Sequence, residues 1–256
     1  MSVFGNYARY YDLLYRDKDY AGEANFISKL LQAHAPEARS ILELGCGTGM
    51  HATLLAQKGY EVCGVDMSAQ MLARANERVQ ALPAQLASLL QFHQGDIRSF
   101  RLSQQFDAVI SLFHVISYQT TNEDLRSAFA TAKTHLKPGG AFIFDCWYGP
   151  AVLTEPPAVR VKRLQDAEIA VTRIAEPVMY ANDNLVDVNY QVFIKNLQDG
   201  TIEPIEETHR MRYLFKPELE TLLSGAGLEL IGSGEWMTDK EPGFNTWGVY
   251  FVGRAS

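Results

Sequence analysis

The sequence predicts an α/β fold: a mostly parallel seven-stranded sheet with helices on both faces, carrying an inserted antiparallel β accessory sheet. Three observations lead there. An apolar run at 41–44 ends in the glycine turn Gly45, Gly47, Gly49. Apolar runs then alternate with helix-like segments to about residue 150. From about residue 151 the pattern changes to alternating and β-branched runs separated by Asn-Asp-Asn and Gln-Asp-Gly turns.

Taken in order, residues 20–34 have the spacing of an amphipathic helix with Phe26, Ile27, Leu30 and Leu31 on one side, and the first strand follows Pro36. Residues 50–57 have the composition of a helix whose N-terminus faces whatever the glycine turn holds. A second strand spans 61–66, Ser68 is the N-cap of a helix at 70–79 with Met71 and Leu72 inward, and a third strand spans 91–97. The nearly continuous apolar run 106–112 reads as a fourth, buried strand, and Asn122-Glu123-Asp124 opens a helix to His135. Lys137-Pro138-Gly139-Gly140 turns the chain into a fifth strand at 141–145. Repeated βα units of this size imply a parallel sheet covered on both faces. In the insertion, strands are expected at 167–174, 185–194 and 203–213; a helix at 218–224 and strands at 228–231 and 246–252 then close the main sheet. The expected division is a main domain of 1–150 and 214–256 with an insertion of 151–213.

At 256 residues the chain can hold one large α/β domain with a modest insertion. A formal net charge of −7 and the lack of a basic patch argue against nucleic acid and favour a small-molecule partner. The start, Met1 to Asn6, has no basic segment followed by an apolar one, and no run approaches membrane-spanning length; a cytoplasmic protein with no membrane partner is expected. Cys46, Cys63 and Cys146 are odd in number and lie in or beside apolar runs, as small buried hydrophobes do. The six histidines show no metal-ligand spacing, so no metal is implied.

Spacing and charge select the ligand of the turn. A dinucleotide fingerprint needs a glycine at the sixth position from Gly45, where this chain has Met50. Glu43 at the mouth of the turn repels a pyrophosphate and attracts a cation. S-adenosylmethionine, with a sulfonium, an ammonium and no phosphate, meets both conditions, and S-adenosylhomocysteine is then the product. Asp66 at the end of the second strand can accept both ribose hydroxyls, while Asp96 and Ile97 at the end of the third can hold the adenine edge and face. Met67 and Leu112, at the ends of the second and fourth strands, complete this cofactor set with Glu43 and the three glycines. With these strand ends in sequence, the chain resembles the Rossmann-like class I S-adenosylmethionine-dependent methyltransferases.

A narrower resemblance covers nearly the whole chain. Tyr10-Tyr11-Asp12, Lys18-Asp19-Tyr20, Gln94-Gly95-Asp96-Ile97-Arg98, the run from Phe113 to Tyr118, Trp147-Tyr148-Gly149-Pro150 and the run from Thr208 to Phe215 are similar to segments of bacterial nucleotide-sugar N,N-dimethyltransferases. Those enzymes methylate an amino group on a dTDP-linked deoxysugar. Two departures stand out: Asp145-Cys146-Trp147-Tyr148 where that family tends to have Glu-Pro-Trp-Trp, and a loop at 241–245 that is this chain's own. The resemblance implies N-methylation of a nucleotide-linked amino sugar, with Tyr11 and Tyr20 closing over the methionine end of the cofactor.

Methyl transfer is an in-line displacement, so positioning supplies most of the acceleration, and an amine acceptor must present a neutral nitrogen, with a base such as His to take its proton. His114, Tyr118 and His209 are the expected catalytic residues, and Trp147 and Tyr148 the expected acceptor contacts. Strand alternation turns Arg210 and Arg212 away from His209, which leaves Arg212 out of the site. Three other readings stay open: an O- or N-methyltransferase of another small metabolite, a non-catalytic cofactor-binding partner protein, and a nicotinamide dehydrogenase. Edge strands in the insertion make a homodimer plausible.

Overall fold

The computed structural model describes residues 11, 13–238 and 240–256; Tyr10, Asp12 and the start of the chain lie outside the described residues. Five strands, β1 (Ser40–Leu44), β2 (Glu61–Asp66), β3 (Leu90–Gln94), β4 (Phe106–Ser111) and β5 (Leu136–Tyr148), lie parallel in the order β3-β2-β1-β4-β5. The last strand, β11 (Gly248–Ala255), runs antiparallel to β5 and is flanked by β10 (Leu228–Glu235), completing seven strands.

Alternation along the buried strands divides the core between two faces. Ile41, Val62, Ala108, Ile110, Ala141 and Ile143 pack under α1 (Tyr20–His34) and α2 (Met50–Ala56). Leu42, Leu44, Val65, Val109, Phe142 and Phe144 pack under α5 (Asn122–His135) and α7 (Lys216–Gly225), α3 being Ala69–Gln80, α4 Ala84–Ala87 and α6 Gly149–Thr154. Phe142 and Phe144 stack at 4.8 Å, and Phe144 and Phe251 at 5.6 Å, joining β5 to β11 through contacts worth about 1 kcal/mol each beyond their area. The helix starts are set locally: Asp19 accepts the Gly22 amide at 2.8 Å, Ser68 caps α3, and Thr121 forms a reciprocal box with Asp124.

The antiparallel ladder runs β6 (Arg160–Gln165), β7 (Ile169–Tyr180), β8 (Leu185–Asn196), β9 (Ile202–Leu214). Its junction with the main sheet positions the site. β4 pairs with β5 only as far as Ser111 opposite Phe144, and β11 occupies the other edge of β5, so β9 enters beyond the end of β4, with Trp147 opposite Tyr213 and Tyr148 opposite Leu214. The ladder therefore begins at the carboxyl end of the parallel sheet. Its inner face (Val171, Val192, Ile194, Ile205) packs with Leu14, Tyr11 and Tyr15 and with Met71 of α3.

Several elements differ from expectation, among them β3, which ends at Gln94 and leaves Asp96 and Ile97 in the turn that follows, and the short helices α4 and α6. β6 was not foreseen because its run, Arg-Val-Lys-Arg-Leu-Gln, is an exposed edge strand whose charges hide the apolar alternation. β5 begins before the Gly139-Gly140 turn, and a register irregularity between Phe106 and Ala108 accommodates it. β10 continues to Glu235 through a bulge between Leu230 and Gly232, where glycines dilute the strand pattern. Among the described residues no helix is long and apolar enough to cross a membrane.

Candidate active site

The glycine turn lies at the carboxyl ends of β1 and β2, where open α/β sheets bind ligands. All three glycines have positive φ, at 80°, 53° and 71°. Their surroundings differ. A Cβ at Gly45 would meet Val115 at 2.6 Å and one at Gly49 would meet Phe92 at 2.7 Å, whereas a Cβ at Gly47 would point into open space. Gly45 and Gly49 therefore serve close packing, and Gly47 opens the floor of the crevice.

Two carboxylates stand over that floor. Asp66 is held rigidly: Oδ2 accepts the Gly47 amide and Oδ1 the Ser68 amide, each at 2.9 Å, leaving one lone pair per oxygen for a further donor. Glu43 is 1 % exposed, and its Oε2 has no hydrogen-bond partner among the described residues. Burial and the neighbouring Asp66 push its carboxyl up to about 8. A buried carboxyl oxygen without a partner beside an open glycine floor fits a cationic ligand, whose charge would favour release of the Glu43 proton, and the two carboxyl groups suit the ammonium and ribose hydroxyls of S-adenosylmethionine. Among the described residues no group of three or more His, Cys, Asp or Glu is placed to hold a metal ion.

The other expected cofactor residues vary in placement. Tyr11 and Tyr20 are hydrogen-bonded to each other, and Tyr20 lies 5.0 Å from the ring of His51. Asp96 sits at the end of β3 but grips Arg98, whose Nε is 3.0 Å from both carboxylate oxygens and whose Nη1 reaches Asp124 at 2.7 Å. Arg98 holds the Asp96 carboxyl below its ordinary value. Ile97 and Leu112 are buried in the two cores, and the Met67 side chain is half exposed beside Asp66.

Past β4 the backbone takes two successive left-handed steps, Phe113 (φ 65°) and His114 (φ 62°), in neither case a glycine. Each such residue costs on the order of 1–3 kcal/mol and persists only where surrounding contacts enforce it. Here Asp145, in the last part of β5 and 1 % exposed, accepts the His114 amide with both oxygens at 3.1 Å. His114 Nδ1 lies 2.7 Å from Asp145 Oδ2 without the alignment of a hydrogen bond. The 3₁₀ turn Val115–Tyr118 then delivers Tyr118, whose hydroxyl is 2.7 Å from His209 Nδ1 of β9. His209 Nε2 is 3.5 Å from Glu207 Oε2, and Tyr190 meets the imidazole edge-on at 4.9 Å. Burial, reinforced by Tyr15 and Tyr190, raises the Tyr118 hydroxyl well above its ordinary value, so it acts as a neutral hydrogen-bonding group.

His114 and Tyr118 thus belong to two polar clusters, one anchored by Asp145 and one by His209. Trp147 lies 6.4 Å from the His114 ring. Tyr148, on the opposite face of the strand, packs against the main core. Arg212 is buried and bound to Asn122 at 2.7 Å and to Glu218.

Several residues of the site went unrecognised in the sequence. Lys18 inserts between the rings of Tyr20 and Phe113, 4.5 Å from each centroid, and is paired with Glu23; burial brings it down to about 8 against the pull of Asp145. Glu23 also holds His51 Nε2 at 2.7 Å and accepts from Trp236 Nε1 at 3.2 Å. Burial, with Lys18 adding to it, lowers His51 to about 3, so this ring is neutral. Lys18 adjoins a quoted motif and Asp145 ends a predicted strand; those were the available signals. Glu23 and Glu207 had none, being ordinary polar positions of a helix and a strand.

Known proteins of similar sequence and fold are methyltransferases. A methyltransferase-domain family model matches residues 41–140. The chain is 32% identical over 228 residues to the dTDP-3-amino-3,4,6-trideoxy-alpha-D-glucopyranose N,N-dimethyltransferase of Streptomyces venezuelae, covering 88% of this chain and 91% of that protein. The crystal structure of Streptomyces venezuelae DesVI matches with a TM-score of 0.80 at 29% identity over 98% of both chains. An amino pentose methyltransferase from Micromonospora echinaspora, solved with S-adenosylmethionine bound, matches with a TM-score of 0.74 at 25% identity over 94% of this chain and 93% of that one.

Proposed function

The chain belongs to the S-adenosylmethionine-dependent methyltransferases, in the branch of the dTDP-amino-sugar N,N-dimethyltransferases, and on that premise we propose that it N-methylates the amino group of a nucleotide-linked amino sugar. The observation that carries this reading is the pairing of a carboxylate-lined, open glycine floor (Glu43, Gly47, Asp66) with a histidine beyond β4 that is fixed by the end of β5. When bound, S-adenosylmethionine supplies an electrophilic methyl on a sulfonium.

The chain's own residues supply position and proton handling. Asp66 would hold the ribose and Glu43 would balance the donor's ammonium, while Asp96, Ile97, Met67 and Leu112 would flank the base. Tyr11 and Tyr20 would cover the methionine end. The acceptor nitrogen attacks only when neutral, and each methylation releases one proton. His114, steadied by Asp145, is the group we assign to receive it. Tyr118 and His209, their hydroxyl and Nδ1 2.7 Å apart and the other ring nitrogen facing Glu207, would fix the orientation of the acceptor, because a buried hydrogen-bonded chain is directional. Trp147 would contact the acceptor, whereas Tyr148, turned to the other face of β5 and packed on the core, would only support that strand.

In the same reading the protein acts in the cytoplasm as a homodimer, with a main domain of 1–150 and 214–256 and an insertion of 151–213. The decisive experiment presents dTDP- and UDP-amino sugars with methyl-labelled cofactor. Label transferred to the sugar nitrogen is expected; transfer only to oxygen, or to no member of the panel, would defeat the reading.

A further inference from the structure

The chain has three tryptophans in 256 residues, Trp147, Trp236 and Trp247, and all three line one cavity of about 320 Å³ together with His114, Glu235 and Thr246. Two of them, with Glu235 and Thr246, come from the end of β10 and the connection to β11, which includes the loop at 241–245 that departs from the family's sequences. We infer that this cavity is the subsite for the amino-sugar ring itself, and that Glu235 is a specificity-determining residue within it. The inference rests on the reading given under Proposed function and deepens it.

The walls are fixed before any ligand arrives. Trp147 and Trp247 meet edge-to-face at 5.5 Å and 74°, making two sides at nearly right angles. The Trp247 carbonyl accepts the Tyr148 amide at 2.9 Å, and Trp236 is tied through its backbone amide to the Gly248 carbonyl and through Nε1 to Glu23. Thr246, 4 % exposed, accepts the Gly243 amide at 2.9 Å and so pins the loop. Glu235 Oε2 accepts the Thr238 hydroxyl at 2.9 Å, which orients the carboxylate and leaves its other oxygen for a hydroxyl or amine donor.

Flat aromatic walls with one carboxylate are what a sugar ring requires: apolar C–H faces to lie against and an acceptor for its polar rim. The volume stands at the lower end of the roughly 300–1,000 Å³ span of small-molecule sites, enough for a sugar ring but small for a whole sugar nucleotide. No lysine or arginine is among the lining residues. A diphosphate would therefore find no counter-charge there and would be repelled by Glu235. The nucleotide is thus directed outward and the amino sugar inward, toward His114.

Because every tryptophan lines the cavity, intrinsic emission reports its occupancy. The full chain, loaded with S-adenosylhomocysteine, is titrated with dTDP, with dTDP-3-amino-3,6-dideoxyglucose and with the methyl glycoside of 3-amino-3,6-dideoxyglucose. Both sugar-bearing ligands should change the emission and dTDP alone should not. Glu235→Gln should raise KM for the dTDP-amino sugar about tenfold, the scale of losing one charge-assisted hydrogen bond, with kcat and cofactor Kd essentially unchanged. An emission change with dTDP alone, turnover of the dTDP-amino sugar with silent emission, or an unaltered KM in Glu235→Gln would each overturn the assignment while leaving the amino-sugar reading intact. If no amino sugar is turned over and none alters the emission, the amino-sugar reading itself fails and takes this one with it.

Discussion

The floor of the crevice and its acceptor wall are built by different means. Around Gly45, Gly47 and Gly49 the surface is mostly backbone, and its ligand-facing groups come from two short stretches, 43–49 and 66–68. The proposed acceptor wall is made of side chains from five separated places: Lys18, His114 with Tyr118, Asp145 with Trp147, Glu207 with His209, and Glu235 to Trp247. A backbone-built site tolerates few substitutions because a Cβ or a lost amide acceptor alters its shape. A side-chain-built site can be retuned one residue at a time, which is how one cofactor half serves many acceptors.

The largest effects are expected at the glycines. Gly47→Leu should reduce S-adenosylmethionine affinity by on the order of a hundredfold or more, since the new side chain grows into the open floor, while its stability falls only by the roughly 1–2 kcal/mol that a left-handed backbone costs a residue whose Cβ meets nothing. Gly49→Ala, whose Cβ would lie 2.7 Å from Phe92, should instead lose about 1–3 kcal/mol of stability. Calorimetric titration beside thermal melts separates the two, and parallel losses in both variants would contradict the distinction. Asp66→Ala should weaken cofactor binding by about 1–3 kcal/mol, the cost of leaving the ribose hydroxyls unpaired. An unchanged dissociation constant would remove Asp66 from the cofactor site.

Electrostatics on the floor give a smaller effect with a definite sign. Glu43 keeps its proton in the folded chain up to about pH 8, whereas in the unfolded chain it ionises near 4.5. The folded state therefore binds the extra proton, and stability falls as pH rises through that interval. His51, held neutral down to about 3, acts oppositely, but only below its ordinary value of 6.5, and Lys18 contributes only above about 8. Between pH 6.5 and 8 the cofactor-free protein should thus lose up to about 2 kcal/mol, and Glu43→Gln should flatten that slope. Chemical denaturation at a series of pH values measures it directly, and an equally sloped Glu43→Gln profile would assign the effect elsewhere.

The acceptor wall should respond most mildly to single changes. His209→Ala is expected to lower turnover about tenfold while sparing cofactor affinity, as fits the loss of a hydrogen bond that orients a neighbouring group. Tyr118→Phe should follow it, and the double variant should be no worse than the worse single one if the two act as a pair. Additive losses in steady-state kinetics would mean that they act independently.

Legibility in the sequence followed the same division. The helix 20–34, the strand 61–66, the Ser68 cap and the helix 122–135 were readable because hydrophobic spacing and capping are local rules. The glycine turn was readable because positive φ is written in residue identity. β6 was not, since an edge strand rich in charge carries no strong alternation. Asp96 could be placed at a strand end, but its grip on Arg98 and the link onward to Asp124 depend on how β3 and α5 approach. The Glu23 junction joins Lys18, His51 and Trp236, the last of them 213 positions from Glu23, and has no local signature.

By itself the sequence determined the parallel α/β framework, the chemistry of the glycine turn and the preference for a cationic donor, because periodicity, backbone permissiveness and charge sign are properties of short segments. The tertiary structure alone decided which face β9 presents, which polar clusters hold His114 and Tyr118, and that three tryptophans from two distant segments enclose one cavity. Those outcomes depend on strand register at the end of β5, where β4 stops and β9 takes over. Register is set by packing across the whole sheet rather than by any stretch within it.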